Sequence, residues 1–263
     1  MSRRLWGVCA SEQGLQGMAS GPERLALRIA LDKTHPVGWG IGFYEGGEPL
    51  VRQCPLEERD EIDLLGVVAE TRSDLLIGHV RAPTVGSLRP ENTHPFRFRH
   101  WLMAHSGTIR TFSEIRPKML DAMPSFLQRS LGGDTDSECF LHLALAFLHD
   151  SRQLDNPRIE ASAVGEALAK AVLMIDQLEE LPGEEERSTF NILVSNGNFL
   201  VALHRSPHSM SHMTYTAPGR DQVRPRAVLV ACEQTTAGSQ WTPLPQQSYL
   251  TVTRDLTVEA TEF

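Results

Sequence analysis

Short apolar runs broken by turn residues dominate the chain, and two stretches of helical periodicity interrupt them near the middle. Residues 2–10, SRRLWGVCA, alternate loosely and predict a strand at once. Residues 21–32, GPERLALRIALD, carry Leu25, Leu27, Ile29 and Leu31 in a mixed period that fits strand or helix equally. The run VGWGIGFYEGGEPLVRQC predicts a hairpin around Glu45-Gly46-Gly47. SDLLIGHVRA predicts a short buried strand, and WLMAHSGTI another that runs into a Ser-Gly turn.

Helical spacing begins in DTDSECFLHLALAFLHD, where Phe140, Leu143, Ala144, Phe147 and Leu148 share a face behind Asp and Thr capping residues. Val164, Leu168, Val172, Ile175 and Leu178 repeat the pattern in residues 161–181. LPGEEERS then predicts a turn, and TFNILVSNGNFLVALHR a hairpin around Asn196-Gly197. RAVLVACE and SYLTVTRDLTVEA predict further strands. Strands, two central helices and strands again suit an α+β layered domain in which helices cover sheets. A Rossmann fold is disfavoured, because no Gly-rich turn joins a strand to a helix. No Pro-, Gly- or Ser-rich boundary divides the chain, so one domain over 1–263 is expected.

Composition narrows this little, but charge does more. A net charge of −8 argues against nucleic acid or an anionic membrane as the main partner, since both need clustered Lys and Arg. No apolar run has the length of a membrane helix and no leader pattern follows the N-terminal Arg pair, so a cytoplasmic protein is expected. The four cysteines, Cys9, Cys54, Cys139 and Cys232, are far apart with no CxxC pair, and read as buried reduced thiols. His204, His208 and His212 are spaced by four, but Pro207 and the turn-like SPHSMSH argue against a metal site.

Chemistry concentrates in four short stretches at strand ends or helix starts. Removal of Met1 would give Ser2 a free α-amine with a pKa near 8, able to act as general base for its own hydroxyl. Arg81 ends an apolar strand, where a guanidinium is suited to bidentate capture of a carboxylate, and Thr84 follows in the next turn. Ser106-Gly107 ends another strand and is a candidate oxyanion hole. Asp136, in the first turn of a helix, is a candidate for an ammonium group or for helix capping.

Taken together, GWGIGFY (38–44), IGHVRAPTVG (77–86), ENTHPF (91–96), AHSGTI (104–109), TDSE (135–138), NILVSNG (191–197) and VLVACE (228–233) form a co-linear set. The set resembles the class II glutamine amidotransferases of the N-terminal nucleophile hydrolase superfamily. Within them it resembles the stand-alone bacterial kind and the γ-glutamyl amidohydrolase of ergothioneine synthesis. The resemblance implies a four-layer αββα sandwich, with the nucleophile at the first residue after Met. It implies that Arg81 and Thr84 hold the α-carboxylate of glutamine or a γ-glutamyl compound and that Asp136 holds its α-ammonium. Gly107 and the residue before it would form the oxyanion hole. No cofactor and no metal are implied. An ammonia acceptor would be a separate protein, since no synthase domain is visible in the chain.

The two positions nearest bond breaking depart from that pattern. The family begins Met-Cys where this chain has Ser2, and reads His-Asn-Gly where this chain has His105-Ser106-Gly107. Val37 and Val85 also replace an Asp and a His common in relatives. Three readings follow: an amide hydrolase working on Ser2, a pseudo-amidotransferase that binds a ligand or protein partner without turnover, or an otherwise Cys-type enzyme with a substituted position 2. Cys9 is too far along an extended strand, about 23 Å from residue 2, to replace the nucleophile.

Overall fold

Alternation in the first strand sorts its side chains between two cores. In the computed structural model, which describes residues 4–13, 38–55, 64–80, 89–180, 187–217, 224–232 and 241–263, strand β1 spans Arg4–Ala10. Leu5 and Cys9 point into one apolar cluster, and Trp6, Val8 and Ala10 into another on the opposite face. A strand buried on both faces belongs at the centre of a sheet, and β1 lies fourth of seven.

That sheet runs in the order β11-β9-β10-β1-β4-β2-β3. Its other members are β2 (Gly38–Glu45), β3 (Glu48–Pro55), β4 (Leu75–Val80), β9 (Met210–Thr216), β10 (Arg226–Cys232) and β11 (Thr242–Pro243). A second sheet runs β13-β12-β8-β7-β6-β5. It is built from β5 (Phe96–Phe98), β6 (Trp101–His105), β7 (Phe190–Ser195), β8 (Phe199–Arg205), β12 (Ser248–Thr253) and β13 (Val258–Glu262). Every pairing between these strands is antiparallel.

The sheets meet face to face over Leu5, Ile77, Leu102, Ala104, Leu193, Leu200 and Val230. Helix α1 (Leu64–Glu70) covers the outer face of the first sheet through Val68. The outer face of the second carries α2 (Phe112–Asp121), the short α3 (Ser125–Gln128), α4 (Asp136–Asp150) and α5 (Ala161–Glu179). The layers are therefore helix, sheet, sheet, helix, the αββα sandwich expected. Phe140 and Phe190, fully buried between helix and sheet, each contribute about 2–3 kcal/mol. Among the described residues no helix is long and apolar enough to cross a membrane.

The hairpins at Gly46-Gly47 and Asn196-Gly197 and both central helices form where the pattern predicts them. One expectation is corrected: the stretch read as turn-like yields strand β9 from Met210, which pairs with β10 along its length. Ser211 is fully buried within it, so a polar residue occupies a position that the pattern assigns to solvent. His204 lies on β8, His208 in the connection and His212 on β9. Residues 21–32 and most of LPGEEERS lie outside the described residues. All four cysteines are free, and Cys54 is half-buried where the others are buried.

Candidate functional site

Strand direction decides which ends converge. Cys9, near the end of β1, donates its thiol to the Thr253 carbonyl at 3.7 Å, and Thr253 pairs with Phe199 at the start of β8. The start of β1 therefore lies at the other end of the sandwich, with the end of β6 and the start of β7. There Arg4 pairs with Val80, the last residue of β4. Ser2, Arg81 and Thr84 lie outside the described residues. The described residues next to them in sequence end at the same pole as Ser106 and Gly107.

At that pole β6 continues past its last ladder residue. The Ser106 N–H donates to the Asn191 carbonyl at 2.8 Å, and Asn191 N–H returns a bond to the Ser106 carbonyl at 3.2 Å. Thr108 and Thr189 exchange both backbone bonds, at 3.1 and 3.0 Å. Between these pairs the chain presses Gly107 against its neighbours. A Cβ there would overlap the Thr189 carbonyl oxygen and His105 Nε2, so no larger residue fits without moving the backbone.

Helix α4 secures this turn from above. Thr135 caps it by accepting the Glu138 N–H at 3.2 Å. Asp136, 4% exposed, accepts the Ile109 N–H through Oδ2 at 2.9 Å. Its Oδ1 accepts the Ser137 N–H at 2.8 Å and lies 3.2 Å from the Ser137 hydroxyl. His105 packs against both Phe140 and Phe190, with ring centres 6.3 and 5.5 Å away. Its Nε2 lies 3.1 Å from the Thr189 carbonyl, which can only accept, so Nε2 carries the proton. Nδ1, 2.9 Å from Ser137 Oγ, is then the acceptor in the neutral ring.

A second tie joins two of the sequence motifs. Glu138 does not return to its own cap residue but accepts the N–H groups of Gly132 and Gly133 at 2.8 and 2.7 Å. Asp134 N–H donates to the buried Asn92 at 3.1 Å, which fastens the ENTHPF segment to the helix start. Gln53 on β3 reaches the Thr93 and Pro95 carbonyls, and the His94 ring packs at a tilt against His79 of β4, centres 4.3 Å apart. Both sheets thus contribute to one polar pole.

Electrostatics separate this pole from the cysteines. Burial pushes the Cys9 thiol up to about 11 and the Cys139 thiol up to about 12, so neither is a ready thiolate at neutral pH. Cys9 also sits at the opposite pole, which agrees with its exclusion as a substitute nucleophile. His204, whose Nδ1 lies 2.6 Å from the Asn191 side-chain oxygen, and His142 are held below the ordinary imidazole value by burial. Among the described residues no cluster of His, Cys, Asp and Glu is placed to hold a metal ion.

The model of the glutamine amidotransferases class-II matches residues 22–261, nearly the whole chain. The chain belongs to the class-II glutamine amidotransferases. Residue 2 precedes the matched stretch.

Among proteins of similar sequence, a probable glutamine amidotransferase of Saccharomyces cerevisiae is 29% identical, over 86% of this chain and 72% of its own length. A putative glutamine amidotransferase of Haemophilus influenzae is also 29% identical, over 68% of this chain and 56% of its own. A γ-glutamyl-hercynylcysteine sulfoxide hydrolase of Mycobacterium tuberculosis is 34% identical over 98 residues, 37% of this chain and 40% of that protein. Solved structures share the fold. A class-II domain protein from Silicibacter pomeroyi superposes with a TM-score of 0.63 at 20% identity, covering 99% of each chain. The phosphoribosylpyrophosphate amidotransferase of B. subtilis gives 0.59 at 14% identity, over 98% of this chain and 49% of that one.

Sequence reasoning singled out Ser106, Gly107 and Asp136, and the fold brings them together. It did not find His105, Ser137, Glu138 or Thr189 as their supports. The capping box Thr135-x-x-Glu138 was the available signal, but Glu138 serves a loop and not the cap.

Proposed function

We propose that this protein hydrolyses the γ-amide of glutamine or of a γ-glutamyl compound, with Ser2 as an N-terminal nucleophile. The observation that carries the reading is the braced turn Ser106–Ile109, held by Asp136 and Thr189 at the pole where β1 begins. In the proposed reaction Met1 has been removed and the α-amine of Ser2 takes the hydroxyl proton. Ser2 Oγ attacks the γ-carbonyl, and the oxyanion forms beside Gly107. Collapse expels ammonia or an amine, which takes the proton from the α-ammonium. Water then attacks the acyl-enzyme with the same amine as base, releasing glutamate and freeing Ser2.

Substrate recognition follows from charge. Asp136 accepts two backbone N–H groups, and a carboxylate has about four acceptor sites, which leaves capacity for an α-ammonium. Arg81 and Thr84 would hold the α-carboxylate as a bidentate pair with a hydroxyl beside it. Because the same carboxylate carries Ile109, ammonium binding and turn position would be linked through one side chain.

A second reading, a pseudo-amidotransferase that binds a ligand or protein partner without hydrolysis, is favoured by one observation. The Ser106 N–H is engaged by Asn191, so residue 106 can donate only through a hydroxyl shorter than the amide side chain of relatives. Loss of one oxyanion donor costs about 10²–10³ in rate. Release of ammonia and glutamate from glutamine and a γ-glutamyl amide panel separates the readings, comparing wild type with Ser2→Ala, Ser2→Cys and Ser106→Asn. Turnover that vanishes in Ser2→Ala and rises in Ser106→Asn is the expected result. Wild-type turnover that survives Ser2→Ala, or an intact mass that retains Met1, overturns the Ser2 assignment. Silence in every variant, with glutamine binding retained, establishes the second reading.

A further inference from the structure

A cleft of about 450 Å³ opens beside the turn, on the far side of Thr189. Its lining includes Arg110, Arg187 and Arg205 with the hydroxyl residues Ser188, Thr189 and Ser206. Three guanidiniums share one concave surface of a chain whose net charge is −8.

The local balance supports an anion. Arg205 is 8% exposed and fixed, with Nη1 on Asp176 Oδ2 at 2.5 Å, Nη2 on the Ser188 carbonyl at 3.0 Å and its guanidinium 5.0 Å from the Phe190 ring centre. Its Nε is buried and makes no hydrogen bond to any described residue. Glu179, behind the wall, is taken up by the Ser188 hydroxyl at 2.5 Å and the Thr111 hydroxyl at 3.2 Å. Asp176 and Glu179 thus offset two of the three positive charges. Arg110 and Arg187 are in no ion pair with another described residue. Gln246 clasps the backbone of Ser206 through both ends of its amide, at 3.2 and 2.6 Å, so this wall is built and not loose. The acidic run Glu184–Glu186 precedes Arg187 in sequence and lies outside the described residues.

We propose that this cleft binds a small molecule bearing a carboxylate or phosphate. Guanidinium and hydroxyl donors are the groups that recognise such oxyanions. The volume falls within the roughly 300–1,000 Å³ of small-molecule sites and exceeds a lone phosphate, so the anion is one end of a larger compound. Thr189 forms part of the cleft and also receives bonds from Thr108 and His105, which puts the ligand one residue behind the turn. The source is either the acidic leaving part of a γ-glutamyl substrate, a case that rests on the hydrolase reading, or a separate anionic metabolite.

Calorimetry on the full chain tests the site without requiring turnover. The probes are inorganic phosphate, γ-glutamylglycine and γ-glutamylmethylamide. Wild type is expected to bind phosphate saturably, and Arg110→Ala/Arg187→Ala to bind it about tenfold more weakly. The Arg110→Lys/Arg187→Lys variant keeps the charge and should stay within about threefold. Replacing Glu184, Glu185 and Glu186 by Gln should tighten binding. If the substrate's own acid fills the cleft, the double Ala variant weakens γ-glutamylglycine and spares γ-glutamylmethylamide. If a separate anion does, both are spared and only phosphate is lost. Equal phosphate affinity in wild type and double Ala, or no saturable binding to wild type and the Gln variant alike, overturns the site. Phosphate binding without amide turnover would leave it standing and sink only the hydrolase reading.

Discussion

The two poles of the sandwich close antiparallel strands at opposite ranges in sequence. At the hairpin pole, side chains bond within two residues: Ser195 accepts the Gly197 N–H, Asn196 the Asn198 N–H and Asp255 the Thr257 hydroxyl. At the site pole the partners are Ile109 with Asp136, His105 with Ser137 and Thr108 with Thr189. A few longer-range ties exist at the hairpin pole: the Tyr44 hydroxyl lies 2.8 Å from the Ser195 carbonyl and 3.0 Å from that of His100, Cys9 bonds the Thr253 carbonyl and Arg254 pairs with Asp74. Local bonds form whenever their turn forms. Long-range bonds exist only when helix, loop and sheet are assembled together, so they report on the whole fold.

Glycine substitutions should show the largest contrast. Gly107→Ala drives a methyl into a carbonyl oxygen that is itself bonded on two sides, and is expected to cost about 3 kcal/mol, at the upper end of single substitutions. Gly197→Ala, at φ 90°, should cost about 1–2 kcal/mol, because only a turn and the Tyr44 ring must adjust. Equal losses in urea-induced unfolding would break the contrast between the poles.

Smaller effects sharpen it. Asp136→Asn conserves volume but turns an amide N–H₂ towards a backbone donor, at either Ile109 or Ser137. It should destabilise by about 2 kcal/mol, against about 1 for Ser195→Ala. Acidification should act at the site pole through His204, whose folded pKa lies below that of the unfolded chain. The unfolded state then binds more protons, so stability falls as pH drops below about 6.5. His100, His142 and His212, also lowered by burial, act in the same sense. The midpoint of thermal unfolding should fall by a few degrees between pH 7 and 5, and the slope should be shallower in His204→Gln.

Periodicity made the hairpin pole legible and left much of the site pole hidden. Asn196-Gly197 and Gly46-Gly47 announce their own turns, and the apolar stripe of α4 announces its buried face. Strand β9 was hidden because Ser211 and His212 interrupt its apolar run. Helix α2 was hidden because it contains Pro117 and many polar residues. Within the site, Ser106, Gly107 and Asp136 stand out as residue types suited to chemistry. Their supports do not, since no spacing rule relates His105 to Thr189 across four helices. The Arg cleft was equally invisible, because residues 110, 187 and 205 meet only after β7 and β8 pair beside the turn.

The central place of β1 also sets an order of events in time. Trp6 pairs with Ala231, so β1 must wait for a strand more than two hundred residues later before its sheet closes on that side. Chains released early from the ribosome would carry the helices and the braced turn but leave β1 half-paired. The end of the first sheet where β1 starts would then stay open on that side until β10 emerges.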